Sequence, residues 1–542
     1  MGKKSTSIGS SKIVDRLEQQ FYTIVVCSLV ATAILYLGWL GIKGDLGFPL
    51  DDAWIHQTFA RNLVRYGQLA YRPGQLSAGS TAPLWTLLLV PAHLLPIDPY
   101  PQVWSYILGL ITLGGLAIGV RRLCALLFPG QPTLATAAGL ITLFEWHMVW
   151  AALSGMETSL YTCGVIWLLE RYLAWEIGQR EVSPQEHRRR RLPFITPIAE
   201  SPFMLGLLGG LLVLVRPEGL VIVALLGIAG LLARRRRSLR RTLALAGDAL
   251  AGFAFLMLPY IGFNLVASGS LFPNTLYAKQ AEYAAQLAWP LWQRLWHVLK
   301  PTLVGVQILL LPGAIYALLA LIRPRQRLVA NDELGLFSRL LPVLWWGLTV
   351  TLYALRLPVD YQHGRYLMPT IPILLLFGTA GTLVWLRLHA PHMLVRVASR
   401  AMPLIIGLLL IGFLLLGARA FATDVAIING EMVQTARWLN AHTPPDALIA
   451  AHDIGAIGYF TQRPLLDLAG LVTPEIIPFI RDESRLLEFA VKQGADYIVT
   501  FPSWYPQMVR DQRLVLRYQT DCELTRAQGS DNMAVYEILH NR

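Results

Sequence analysis

Apolar residues run in blocks of about 20 along most of the chain, the length a helix needs to cross a hydrocarbon core. Such blocks fall at roughly 21 to 42, 103 to 127, 132 to 151 and 158 to 176. Two shorter runs, interrupted by Gly and Pro, follow at about 202 to 215 and 219 to 233. Longer ones return at about 243 to 266, 302 to 322, 339 to 356, 367 to 387 and 402 to 421, so the pattern predicts about eleven spans. Beyond 423 the period changes. An amphipathic helix is expected from Glu431 (Met432, Ala436, Leu439), then a strand at Leu448, a short helix from Gly455 to Phe460 and a strand at Leu465. A helix from Arg485 to Lys492, a strand at Asp496 and a final pair near Leu514 and Val535 complete the series. Strands alternating with helices imply a small α/β domain. The expected fold is therefore mostly α: a polytopic transmembrane helical bundle over 1–423, followed by an α/β domain over 424–542.

Composition sharpens this picture. Hydrophobic residues make up 54% of 542 positions, charged residues 15%, and the mean hydropathy is +0.48. A soluble globule carries about a quarter charged residues, so that class is excluded. The net charge of +12 comes as short basic runs between apolar blocks, which is how cytoplasmic loops look and not how a nucleic-acid surface looks. Those runs are Lys3-Lys4, Arg121-Arg122, Arg188 to Arg191, Arg234 to Arg241, Arg323 to Arg327 and Arg387 to Arg400. Keeping them all inside, with a cytoplasmic N-terminus, places 43 to 102, 152 to 157, the turn at Arg216 to Glu218, 267 to 301, 357 to 366 and the C-terminal domain outside. The apolar stretch Pro83 to Leu95 would reverse the parity if it crossed, so it is laid along the outer interface. Three of four cysteines lie in apolar blocks, and no disulfide framework is implied.

The polar residues of the outer loops carry the candidate chemistry. Asp51 and Asp52 open the segment DDAWIHQTFARNL, whose Trp54, Phe59 and Leu63 have helical spacing. Adjacent carboxylates at a membrane surface raise one another's proton affinity when partly buried, which suits a general base or a metal ligand. They equally suit a helix cap and a first-turn acid. His56 stands one turn after Asp52 and is a candidate substrate contact. Glu157, in SGMETS, is a third candidate catalytic acid or, equally, a helix-start acid. Arg216 and Glu218 form a charged pair wedged between two short apolar runs, an arrangement that lines buried polar sites. The loop SLFPNTLYAKQ offers Asn274, Tyr277 and Lys279, and VDYQHGRYLMP offers His363 and Arg365. Lys279, His363, Arg365 and Arg216 are the candidate ligands of a lipid-linked phosphate. His56, Asn274, Tyr277 and Glu218 are candidate substrate-binding residues. Snorkelling cations and belt tyrosines at an interface are the plainer alternative. No metal site has a recognisable ligand spacing, and neither a P-loop nor a Gly-rich dinucleotide fingerprint occurs.

The order of a basic N-terminus, a first span, DDAWIHQTFARNLVRYGQLAYRPGQLSAGSTAPLWTLLL, SGMETS, PNTLYAKQ and HGRYLMPTIPILL resembles the GT-C superfamily of polytopic glycosyltransferases. Within it the likeness is greatest to the mycobacterial-type terminal β-(1→2)-arabinofuranosyltransferases, whose chains also end in an extracytoplasmic domain, here carrying AHDIGAIGYFTQRPLLDLAGLVTPE. The resemblance implies a plasma (inner) membrane enzyme that moves a sugar, arabinofuranose in that subgroup, from a polyprenyl-phosphate donor to a glycan or lipid acceptor hydroxyl outside the cytoplasm. Configuration would invert, with Asp51 or Asp52 as base and Lys279, His363 and Arg365 steadying the departing phosphate. No DxD pair stands in the second outer loop, so metal dependence is unsupported, a divalent cation being the open alternative. A lipid or solute transporter of the cell envelope is the competing class of function, since interrupted helices and membrane-adjacent acids also occur in carriers.

Overall fold

The computed structural model describes residues 7–77, 79–95, 99–179, 201–232, 238–271, 273–322, 333–389 and 392–540. The basic runs at Lys3-Lys4, Arg188 to Arg191 and Arg323 to Arg327, and most of the run from Arg234 to Arg241, lie outside the described residues.

The chain is mostly helical, and six helices are long and apolar enough to cross a membrane: 20–43, 100–127, 239–268, 336–356, 361–387 and 395–442. Two bent pairs bring the number to eight. Pro132–Phe144 and Trp146–Leu153 meet at 53°, where the Glu145 side chain caps the second helix by accepting from the Met148 amide at 3.0 Å. The second pair, Leu291–Leu303 and Gln307–Ile322, turns by 114°. Pro202–Val215 and Gly219–Leu232 are apolar but shorter, and Thr158–Gly178 is interrupted by Glu170, Arg171 and Glu176. The expected apolar blocks fall on helices or bent helix pairs, of which six to eight among the described residues are long and apolar enough to cross; the chain is a multi-pass membrane protein.

Without a hydrophobic gain between helices in lipid, close backbone approach supplies the packing. A Cβ on Gly381 would stand 1.8 Å from the Gly313 carbonyl oxygen, so Gln307–Ile322 and Ile371–Leu388 touch backbone to backbone. The two ends of the bundle differ in chemistry. At one end the Arg121 guanidinium lies 4.6 Å from the Phe21 ring at the start of the first span, and Arg387 donates to Gln131 at 2.9 Å. At the other end stand Asp51, Glu157 and Arg365. The Pro83–Leu89 helix and the 3₁₀ turn Val90–His93 belong to that second end: Trp85 donates to the Gly155 carbonyl at 2.9 Å, Trp104 to Leu88 at 2.8 Å, and His93 pairs with Gln57 at 2.8 Å.

The C-terminal portion holds a five-stranded sheet of order β2-β1-β3-β5-β4: β1 Ile449–Ala451, β2 Leu465–Asp467, β3 Tyr497–Thr500, β4 Leu514–Gln519 and β5 Ala534–Ile538. β1 pairs in parallel with β2 and β3, while β5 runs antiparallel to β3 and β4. The final span runs into it as a helix through a π turn at Asn429–Val433. Glu431, fully buried in that turn, accepts from the Asn532 side chain at 2.7 Å and the Met533 amide at 2.9 Å, locking span to sheet. A second lock joins the sheet portion to the first loop. Trp54 of helix Asp52–Tyr66 packs against Tyr459 and Phe460 at 4.9 and 4.7 Å, and Arg61 donates to the Tyr459 carbonyl.

Candidate active site

Helix Asp52–Tyr66 has Asp51 at its cap position, ends on Gly67 in the left-handed region (φ 65), and buries Ala53 to Asn62. Its two leading acids take different partners. Asp51 occupies the cap position, yet its carboxylate does not cap its own helix. It accepts from the Gly455 and Ala456 amides at 2.6 and 2.7 Å, at the start of helix Gly455–Thr461. The approach is so close that a Cβ at 455 would stand 1.9 Å from the Asp51 carbonyl oxygen. Burial and the nearby Asp453 push the proton affinity of Asp51 up, and the two amides oppose them. Asp52 turns the other way. Its Oδ2 accepts from the Arg365 guanidinium and, at 3.3 Å, from the Lys279 ammonium. Burial alone would raise its pKa, but the two cations hold it well below the usual carboxylate range.

Lys279 comes from helix Asn274–Glu282, and its Nζ also donates to the Tyr366 hydroxyl at 3.0 Å, which the Tyr361 hydroxyl meets at 3.1 Å. Arg365 is only 3% exposed, and its Nε and Nη1 have no hydrogen-bond partner among the described residues. A second ion pair stands behind the first. Glu157 accepts from Arg216 Nε at 2.6 Å and faces His56 Nε2 at 3.5 Å, while Arg216 Nη2 donates to Thr158 at 2.8 Å. Arg216 Nη1 is likewise buried without a partner. Glu218 accepts from the Tyr353 hydroxyl at 2.5 Å.

Two cavities meet at these groups. The first, about 500 Å³, is lined by Arg216, Lys279, Arg365, Glu157 and Glu218 on one side and by apolar side chains such as Leu220, Val221, Leu352 and Leu357 on the other. The second, about 780 Å³, lies between the bundle and the sheet portion and is lined by Glu282, His452, Asp453, Glu483 and Trp504. Asp52, Ile55, Lys279, Arg365 and Leu471 line both. In the second cavity burial, reinforced by Asp52 and Glu282 and opposed by His452 and Lys279, pushes Asp453 up to about 6. His452 is itself raised: burial opposes this, and its contact with Glu282 at 3.5 Å drives it.

Of the residues expected from the sequence, Asp52, His56, Glu157, Arg216, Glu218, Tyr277, Lys279 and Arg365 line the first cavity, and Asp51 lines the second. Asn274 and His363 line neither. Asn274 is buried at the start of its helix, and His363 is bonded to Asp424 at 2.8 Å. Sequence reasoning passed over Asp453, His452 and Glu282, which no spacing connects, and Tyr366 entered only among the belt tyrosines of the plainer alternative. Among the described residues no group of three His, Cys, Asp or Glu could hold a metal ion.

Residues 424–536 match a family described as a domain of unknown function, DUF8728. No curated protein matches the sequence. The structure is similar to that of ArnT from Cupriavidus metallidurans bound to undecaprenyl phosphate, with a TM-score of 0.53 and 16% identity over 95% of this chain and 97% of that one. It is also similar to the archaeal oligosaccharyltransferase AglB from Archaeoglobus fulgidus in complex with an inhibitory peptide and a dolichol-phosphate, with a TM-score of 0.59 and 12% identity over 90% of this chain and 70% of that one. The chain shares its fold with both.

Proposed function

We propose that the protein is a GT-C glycosyltransferase that moves a sugar from a polyprenyl-phosphate donor to a hydroxyl of a glycan or lipid acceptor. One observation carries this reading: at the wall common to both cavities, buried Arg365 has two nitrogens without partners among the described residues, and Arg216 has a third in the first cavity. Buried donors are normally satisfied, and a guanidinium with free edges fits the oxygens of a phosphate. The apolar wall of the first cavity suits an isoprenoid tail. The fold, shared with proteins whose structures hold undecaprenyl phosphate and dolichol-phosphate, agrees with it.

In this mechanism Arg365, Lys279 and Arg216 hold the donor phosphate, and the acceptor enters through the second cavity. The base is Asp52, since the Asp51 carboxylate is spent on the two amides of the sheet portion. Lys279 and Arg365 suppress the proton affinity of Asp52, and a phosphate that draws on the same two cations restores it. The acceptor oxygen then attacks the anomeric carbon, its proton passes to Asp52, and the C–O bond to phosphate breaks with its electron pair leaving on the phosphate. In-line displacement inverts configuration. His56 and Glu157 orient Arg216, and Tyr277 and Glu218 face the donor. The site opens on the extracytoplasmic side of the plasma membrane, with the arginine-rich end of the bundle and the N-terminus in the cytoplasm and 424–542 as a separate outer domain. Arabinofuranose is the sugar that the sequence likeness favours. Incubating the purified protein with polyprenyl-phosphate arabinofuranose, mannose, galactose and glucose tests this: consumption of one of them is expected, and the loss of none would overturn it.

A further inference from the structure

Arg365 is presented by an unusual piece of backbone. Gln362 (φ 54, ψ 50) and His363 (φ 59, ψ 24) are both left-handed, and Gly364 (φ 70) follows. Only glycine adopts that region freely, and successive left-handed residues bearing side chains persist where the surroundings enforce them. The enforcing contacts are visible. His363 Nε2 meets Asp424 Oδ2 at 2.8 Å, the same oxygen accepts from Trp150 Nε1 at 3.0 Å, and the imidazole lies edge-on to Trp146 and Trp150, each 5.3 Å away. Before the turn, Asp360 is tied to Lys300 at 2.7 Å and His297 at 3.0 Å. Within it, Gly364 donates to the Asp360 carbonyl at 3.1 Å and lies so close to Pro301 that a Cβ would come within 2.6 Å. Asp424 belongs to the last span, four residues before its helix ends at Ile428.

We propose that His363 is a positioning residue: its bond to Asp424 pins the left-handed turn to the last span and thereby sets where Arg365 presents its unpartnered nitrogens. The inference rests on the reading of Arg365 as a donor-phosphate ligand, and it gives His363 a task away from the phosphate itself. It also makes the last span, which carries the sheet portion, a mechanical neighbour of the donor site. The alternative is that His363 only fills space between two tryptophans.

The test uses full-length protein in lipid nanodiscs and undecaprenyl phosphate as the probe. His363→Gly is the informative variant, because glycine accepts the left-handed backbone and lacks the imidazole that meets Asp424. Binding should weaken roughly tenfold in Arg365→Ala, the loss of a charged hydrogen-bonding partner, and by a similar factor in His363→Gly. In the double variant the second change should cost less than about twofold, since residues acting through one another are not additive. Asp424→Asn keeps an oxygen for both donors and should hold affinity within about twofold of wild type. Thermal melting of the same proteins without ligand gives a second readout, in which the Tm drop from His363→Gly shrinks once Arg365 is alanine. Undecaprenyl phosphate that fails to bind wild type while this Tm coupling persists would remove the donor reading and leave the link intact. Additive effects in both readouts, or wild-type binding by His363→Gly, would overturn it.

Discussion

The two cavities share five lining residues and little else. The first is walled by leucines and valine and concentrates cations, three of whose nitrogens lack partners among the described residues. The second gathers carboxylates around His452 and Trp504 between bundle and sheet. A mostly apolar slot with free guanidinium edges fits a lipid phosphate, whereas carboxylates beside an aromatic ring fit a polyhydroxylated molecule. Asp52 stands on the shared wall, and in the proposed mechanism it takes the proton of the acceptor in one cavity as the phosphate of the donor leaves in the other. The contrast also separates two acids adjacent in sequence: Asp51 accepts from two amides of the sheet portion, and Asp52 lines both cavities.

The sharpest way to break the contrast is to remove a cation from the shared wall. Arg365→Ala should lower transfer by roughly a thousandfold, the range seen when one preorganised charge stabiliser is lost. A loss under tenfold in single-turnover assays would show that the phosphate sits elsewhere. Next is the pair behind it. Arg216→Met leaves Glu157 charged and buried without its main partner, so unfolding in detergent should show a loss of roughly 3–5 kcal/mol. Asp51→Ala leaves the Gly455 and Ala456 amides unpaired and should cost about 1–3 kcal/mol, read as faster protease cleavage between bundle and sheet, with donor binding unchanged.

The smallest effect is a pH dependence confined to the second cavity. Burial, with Asp52 and Glu282 reinforcing it and His452 and Lys279 opposing it, pushes Asp453 up to about 6. Below about 6 it becomes neutral and accepts less strongly from an acceptor hydroxyl, so KM for the acceptor should rise as pH falls through that point, while KM for the donor stays level. Asp453→Asn should flatten the profile. Because the folded-state pKa is raised, the same group favours the folded state at low pH and ceases to do so as pH climbs from about 4 to 6. Asp453→Asn should therefore lose that slope in the melting temperature.

Much of this was legible in the sequence because the bilayer imposes strong rules. Block length located the helices, and arginine parity kept Pro83 to Leu95 at the site end, where Trp85 holds it to Gly155 and His93 to Gln57. The sheet strands followed from period and turn residues. The Asp51-Asp52 pair was visible as a pair, but which acid faces the cations depends on Gly455, some 400 residues away. Asp453 and Glu282 carry no spacing signal, since only the docking of the sheet portion brings them together. The turn at 362 and 363 was hidden for another reason: Gln and His do not announce left-handed backbone, and the partner that enforces it, Asp424, lies on the last span.

The most direct test of Asp52 as the group between the two cavities is Asp52→Asn, preloaded with whichever polyprenyl-phosphate sugar the wild type consumes and then mixed with acceptor. The predicted result is donor bound at least as tightly as in wild type, because Lys279 and Arg365 are freed from a competing carboxylate, with no product formed in a single turnover. Product formation at the wild-type rate would contradict the account.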